Sequence, residues 1–376
     1  MSAAVSNAAV AQACTELITF DRALQLLTIV ADTPAPSGAS SLTRGASVRS
    51  WFDDQQMSGH GADLHLDYQR TGCDVLTSGV GGLRMLAHLD EVSYLVDGPA
   101  TTRPGMWPIS PYCYHLAEAP APARVVRFDS NGTWTAADRG EVLVIEGSHF
   151  FQCAPDIELA PGDRVCLASK ITCDQKTGLV TGSLDNAAGV TAALLAAAAL
   201  EAVGVPFTVV LTDEEEGPSG ASSQTISRGA SRYFRRIPLD DAPLTVAIDI
   251  HGVPARDVDE VRGHTVPWGA SLAEFSSHGR GSVAPPQLYA AARDFLCKGN
   301  PITDGVRQNV GGYIPRSDDV VAMTHSNRVL ILGYPGINRH FDQGLPAANM
   351  YDLMHLARAL VALAVGVSSK QLAVDW

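Results

Sequence analysis

Ser183-Leu184-Asp185-Asn186, the run AAGVTAALLAAAALEA over 187–202, the segment FTVVLT over 207–212 and the acidic group Asp213-Glu214-Glu215-Glu216 together decide how this chain folds. The Ala/Leu run reads as a helix and the Val-rich segment as a short buried strand. Downstream, 244–250 (LTVAIDI) and 328–332 (RVLIL) read as further strands, and 350–364 (MYDLMHLARALVALA) as a closing helix. Strand and helix alternate, which predicts an α/β sheet with functional residues at the carboxyl ends of its strands.

Upstream, Leu24, Leu26, Leu27 and Val30 predict a first helix over 20–31, which Thr33-Pro34-Ala35-Pro36-Ser37-Gly38 stops. A second helix and two strands follow. The stretch 80–87 (VGGLRMLA) then reads as a buried strand ending at His88-Leu89-Asp90-Glu91. Between 92 and 178 the pattern changes to proline-containing, β-rich pieces at 123–128, 141–146 and 164–167, separated by turns such as Asn131-Gly132 and Pro161-Gly162-Asp163. These observations predict an α/β domain formed by 1–91 and 179–376, with a small all-β domain inserted at 92–178.

Composition narrows the function. The 376 residues carry 27 Lys+Arg against 40 Asp+Glu, a formal charge of −13, with no basic run, so nucleic acid and anionic membranes are poor partners. At 46% hydrophobic and 18% charged, the chain is globular rather than disordered. Seven cysteines without a C-x-x-C pair suggest neither a disulfide framework nor a zinc ribbon, and fit a reducing cytosol. Residues 1–14 lack the basic start and long apolar core of a signal peptide, and the apolar run 192–200 is about half a bilayer span. A soluble cytoplasmic protein is the expectation.

Nucleophile-elbow, H-E-x-x-H and P-loop signatures are missing. Gly279-Arg280-Gly281-Ser282-Val283-Ala284 fits G-x-G-x-x-A, but Pro285-Pro286 stand where that fingerprint needs a helix, so it reads as a loop. What remains is a set of carboxylates and imidazoles at strand ends: His88, Asp185, Glu214, Glu215, Asp249 and His340. Each has a bland reading. His-x-Asp occurs three times, and its first copy, His65-Leu66-Asp67, reads as a solvated pair. Asp213–Glu216 in isolation is a solvated acidic turn. Four adjacent carboxylates directly after an apolar strand nevertheless repel one another unless a cation is present, and Asp249 inside VAIDI must be paired, protonated or metal-bound. The inventory matches two divalent metals that share one bridging carboxylate.

The segments 33–38 (TPAPSG), 87–92 (AHLDEV), 183–186 (SLDN), Glu214-Glu215 with Gly217 and Gly220-Ala221, 247–249 (AID) and the late His340 resemble the M42 family of dinuclear metallopeptidases, the glutamyl aminopeptidase/endoglucanase type, over nearly the whole chain. The resemblance implies a mixed-sheet α/β zinc-peptidase domain, phosphorylase/hydrolase-like, with an inserted barrel-like oligomerisation domain. It implies His88 and Asp249 as ligands of one metal, Glu215 and His340 as ligands of the other, and Asp185 as the bridge. Glu214 would be the general base, and Asp90 would accept the second ring N–H of His88. It also implies a cis peptide after Asp185 and a homo-oligomer. Zn²⁺ suits the ligand set, and Co²⁺ or Mn²⁺ is accommodated by similar ligands.

The chain departs from the family pattern at Ala187, where Arg is frequent, at Ser93, where Gly is frequent, and at Glu216, where an apolar residue is usual. Asp318 or Asp319 roughly matches a segment near the family's active site and is carried as a substrate contact. The function implied is hydrolysis of N-terminal residues from small peptides. The rivals are an M20-like deacylase acting on N-acyl amino acids or other small amides, and a catalytically silent binding protein on the same fold. On this assignment, replacing Glu215 weakens a metal site, replacing Glu214 lowers turnover about 10²–10⁴-fold or more with both metals retained, and replacing Glu216 is nearly silent.

Overall fold

Four parallel strands, each ending in or beside a chemically distinctive residue, form the centre of the large sheet. The computed structural model describes residues 6–372 except 56, 58–60, 102, 113–119, 218–225 and 239–241. In chain order, α1 (Asn7–Leu17), α2 (Phe20–Asp32), α3 (Ala46–Asp54), β1 (Asp63–His65), β2 (Asp74–Ser78) and β3 (Leu83–His88) come first. Next are β4 (Ser93–Val96), β5 (Met106–Pro111), β6 (Ala121–Phe128), β7 (Trp134–Ile145), β8 (Ser148–Gln152) and β9 (Arg164–Leu167). The chain then returns through β10 (Thr172–Cys173), β11 (Leu179–Thr181), α4 (Ala187–Ala202), β12 (Phe207–Thr212), α5 (Arg228–Phe234), β13 (Thr245–His251) and α6 (Val258–Val261). It ends with β14 (Ala270–Ala273), α7 (Pro286–Cys297), β15 (Val306–Gln308), α8 (Asp318–His325), β16 (Val329–Ile337), β17 (Ala347–Asn349) and α9 (Met350–Ser368).

The large sheet has 11 strands in the order β1-β2-β12-β3-β13-β16-β17-β11-β10, with β14 and β15 branching from β16. The pairs β12–β3, β3–β13 and β13–β16 are parallel, so the carboxyl ends of these strands open on one edge. Thr212 is register-paired with His88, and Asp249 with Gly333. Gly333 is required there, because a Cβ would come within 2.1 Å of the Asp249 carbonyl oxygen.

Helix α4 packs on α9, α2 and α1 as well as on the sheet. Surrounded in this way, it can carry apolar residues on every side, and its residues 187–201 are buried. The 19-residue α9 is long and apolar enough to cross a bilayer, yet it lies inside the core with Leu353, Leu356, Leu360 and Leu363 inaccessible. Its length is therefore explained by core packing.

Strands β4–β9 close into a separate six-stranded antiparallel barrel around Tyr94, Val125, Phe151 and Val165. The barrel strands end at Leu167, and Thr172–Cys173 already pairs in the large sheet, so the segment after 168 belongs with that sheet. Phe341 from the large domain is part of the barrel core, which ties the segment carrying His340 to the insertion.

Three local expectations differ from the structure. Helix α1 precedes the expected first helix: Ser6 accepts a hydrogen bond from Ala9 N, and Val10, Ala13 and Cys14 are buried at helical spacing. Pro286 does not prevent a helix after Gly279–Ala284. It occupies the first turn of α7, where a missing N–H costs nothing. The strand expected at 141–146 begins earlier, at Trp134, because its first half pairs with β6. The remaining motif residues Gly220-Ala221, and Cys113, lie outside the described residues; the six described cysteines are free thiols.

Candidate metal centre

His88 closes β3, and its Nδ1 is fixed by the Asp90 backbone carbonyl at 3.1 Å, which turns Nε2 toward the sheet edge. There Nε2 lies 3.1 Å from Asp185 Oδ1, 3.8 Å from Asp249 Oδ1 and 3.9 Å from Glu215 Oε2. On the other side of Asp185, Oδ2 is 3.6 Å from His340 Nε2, which is also 3.0 Å from Glu216 Oε1. Three donor sets converge within 4.8 Å: His88/Asp185/Asp249, Asp185/Glu216/His340 and His88/Glu215/Glu216. The first two share Asp185.

Local structure explains each placement. Asp185 sits before α4, the Asp185-Asn186 peptide is cis, and the Asn186 amide donates to Ile248 O at 2.7 Å while its Oδ1 caps Gly189 N. Tyr334 Oη donates to Leu184 O at 2.9 Å and holds the same turn. The 33–38 segment braces the opposite side: Ser37 Oγ donates to Asp90 Oδ2 at 2.6 Å, and Gly38 N to Asp213 Oδ1 at 3.0 Å. The Asp90 carboxylate is 3.8 Å from His88 Nδ1 and instead accepts the backbone N–H groups of Glu215 and Glu216, each at 3.1 Å. The expected His88 contact is thus made by its carbonyl, and the carboxylate shapes the acidic turn.

The three glutamates of that turn separate. Glu214 has φ of +57°, and its carboxylate pairs with Arg232 Nη1 at 2.5 Å, outside the three converging donor sets. Glu215 faces His88 with 10% of its side chain exposed. Glu216, expected from the sequence to be nearly silent, is buried against His340. Strand spacing alone does not reveal this, because the left-handed backbone at Glu214 re-aims the two glutamates after it. Asp318 and Asp319 are also buried and engaged within the protein: Asp318 accepts from Thr212 Oγ1, and Asp319 accepts from Ser276, Ser282 and Ser317. The first His-x-Asp copy is on the surface, where His65 pairs with Asp63 at 2.9 Å.

The electrostatics of the cluster are those of crowded, buried carboxylates and imidazoles. Burial alone would lower the His88 pKa, but Glu215, Asp185 and Asp249 raise it well above its ordinary value. Burial, reinforced by Glu216 and Asp249, holds the Glu215 pKa well above the carboxylate range. Burial and the neighbouring Asp185 push Asp249 the same way. Asp185 is lowered: burial opposes this, but His88, His340 and Arg339 outweigh it. Arg339 supplies a fixed positive charge, its pKa raised by Asp185, Glu216 and Asp249 against the effect of burial. Asp185 Oδ1 is buried without a well-directed hydrogen bond. Donor separations of 3.0–3.9 Å suit a cation with ligands at about 2.0–2.2 Å. The residues present therefore fit divalent metals. Beside His340, a recess of about 310 Å³ lined by His251, Tyr313, Asn338 and Arg339 opens toward solvent.

No family model and no curated protein matches the sequence. Solved structures do match. An aminopeptidase from the archaeon Desulfurococcus kamchatkensis is 17% identical, with a TM-score of 0.69 over 92% of this chain and 95% of its own. The TET1 peptidase of Pyrococcus horikoshii, which can assemble into a tetrahedron or a large octahedral shell, is 16% identical, with a TM-score of 0.65 over 92% and 99%. An M18-family aminopeptidase from Thermotoga maritima is 12% identical, with a TM-score of 0.61 over 93% and 96%. The fold, a mixed α/β sheet with an inserted barrel, is that of these peptidases.

Proposed function

We propose that the chain is a dinuclear metal-dependent aminopeptidase of the M42 type. The observation that carries this reading is the pair of donor sets that share Asp185 at the carboxyl ends of parallel strands. In this reading His88, Asp249 and Asp185 hold one divalent cation, and Asp185, Glu216 and His340 hold the second. Zn²⁺ is the first choice for such ligands, with Co²⁺ or Mn²⁺ accommodated. When bound, two such ions would supply Lewis acidity toward a scissile carbonyl and a water. Glu215, not itself needed to complete either set, takes the proton of that water at its carboxylate and delivers it to the leaving nitrogen. Asp90 positions Glu215 and Glu216 through their backbone N–H groups, and Asp185 holds both imidazoles in place. Substrate enters by the recess beside His340. A cytoplasmic homo-oligomer assembled through the barrel completes the reading.

The test uses metal-loaded protein with aminoacyl-p-nitroanilides bearing a free or an N-acetylated amine. Turnover confined to the free amine is expected. Turnover confined to the acetylated substrate would replace this reading with a deacylase, and turnover of neither with a binding protein.

A further inference from the structure

A second cavity, of about 540 Å³, lies where the barrel meets the large domain, and its polar lining is Asp32, Arg124, Arg139, Ser169 and Lys170. Three cations face one carboxylate, in a chain whose net charge is −13. Arg124 and Arg139 are register partners across β6 and β7. Like charges directly opposite on a sheet destabilise it unless an anion lies between them. The β6–β7 register slips immediately after Arg124, a bulge of the kind that re-aims a side chain. Arg124 Nη1 donates to Asp32 O at 2.5 Å, while its Nε is buried and donates to no group among the described residues. The Asp32 carboxylate is partly engaged, accepting from Ile171 N at 3.3 Å. Arg139 and Lys170 are exposed, so their charges stand at the rim without a desolvation cost.

We propose that this cavity binds a small organic polyanion carrying two or more carboxylate or phosphate groups. The volume falls within the range of small-molecule sites, about 300–1,000 Å³, and exceeds what a lone oxyanion needs. Guanidinium groups match the planar geometry of carboxylate and phosphate. Asp32 offsets one of the three positive charges and so selects against monoanions. The ligand would bridge α2, the barrel and the strand connection at 168–170, and would tie the two domains together. The inference is independent of the chemistry at the metal centre.

Isothermal titration of the full-length, metal-loaded protein, at constant ionic strength against sodium chloride, tests this with inorganic phosphate and propane-1,2,3-tricarboxylate as probes. Saturable binding at one site per chain is expected for at least one probe. Binding of the tricarboxylate alone identifies an organic acid, and of phosphate alone a phosphate ester. Affinity should fall at least tenfold in the Arg139→Ala/Lys170→Ala double variant, whose exposed positions leave the fold intact, and in Arg124→Met. Hydrolytic turnover of the double variant should stay at the wild-type rate. Failure of both probes to saturate, or undiminished affinity in the double variant, which would place the anion at the metals, overturns the proposal.

Discussion

Glu216 Oε1 lies 3.0 Å from His340 Nε2, and the same nitrogen stands 3.6 Å from Asp185 Oδ2. A carboxylate-imidazole-carboxylate arrangement of this kind, buried and supplied by three separate segments, offers the donor chemistry that a divalent cation accepts. It makes the last glutamate of the acidic turn, rather than the middle one, the partner of His340.

Asp185 belongs to both donor sets. With two ions bound as proposed, Asp185→Asn should therefore reduce the metal content of the purified protein to fewer than one per chain, measured by plasma emission spectroscopy. His340→Ala, by contrast, should leave one ion bound through His88, Asp185 and Asp249.

Metal removal should destabilise the fold, because clustered carboxylates are then left to repel one another. Binding to the folded state alone at a hundred times Kd adds about 2.7 kcal/mol per site. Chelation should lower the melting temperature, and restoring Zn²⁺ should recover it. An unchanged melting temperature would mean that the cluster binds no ion.

Arg44 and Glu91 form a buried ion pair at 2.8 Å, and Arg44 Nη1 also donates to Leu89 O at 2.6 Å, beside His88. Arg44→Met leaves Glu91 charged and unpaired and should cost about 3–5 kcal/mol in denaturant unfolding. Adding Glu91→Leu to that variant should restore most of the loss.

Asp352 accepts the backbone N–H groups of Trp268 and Gly269, yet burial raises its pKa from the ordinary 3.8 to about 7. Between these values the folded chain keeps a proton that the unfolded chain has released. Its contribution to stability is thus complete below about pH 4 and lost as pH rises to 7, at up to about 1.4 kcal/mol per pH unit. The slope of unfolding free energy against pH should be shallower in Asp352→Asn over this window.

Much of this was legible in the sequence. The α4 run and β12 are unmistakable, because apolar side chains without a polar face have only the core to occupy. His88, Asp185, Asp249 and His340 could be singled out because ionisable residues at the ends of apolar strands need partners. The order of the glutamates could not. Glu214, Glu215 and Glu216 are chemically identical, and their directions depend on the left-handed backbone at Glu214, on Arg232 drawn from α5 and on the Asp90 carboxylate, three contacts distant in the chain. Ser37 and Phe341 likewise act through partners that only the fold brings near.

The central claim is the division of labour within the acidic turn, and it is tested by metal content and turnover of three variants measured side by side. Glu216→Gln should lose one metal, with activity partly restored by excess Zn²⁺. Glu215→Gln should keep both metals while turnover falls about 10²–10⁴-fold. Glu214→Gln, which loses only its pairing with Arg232, should keep both metals and most of its activity. Full metal retention and activity in Glu216→Gln, with metal loss in Glu215→Gln, would contradict the account.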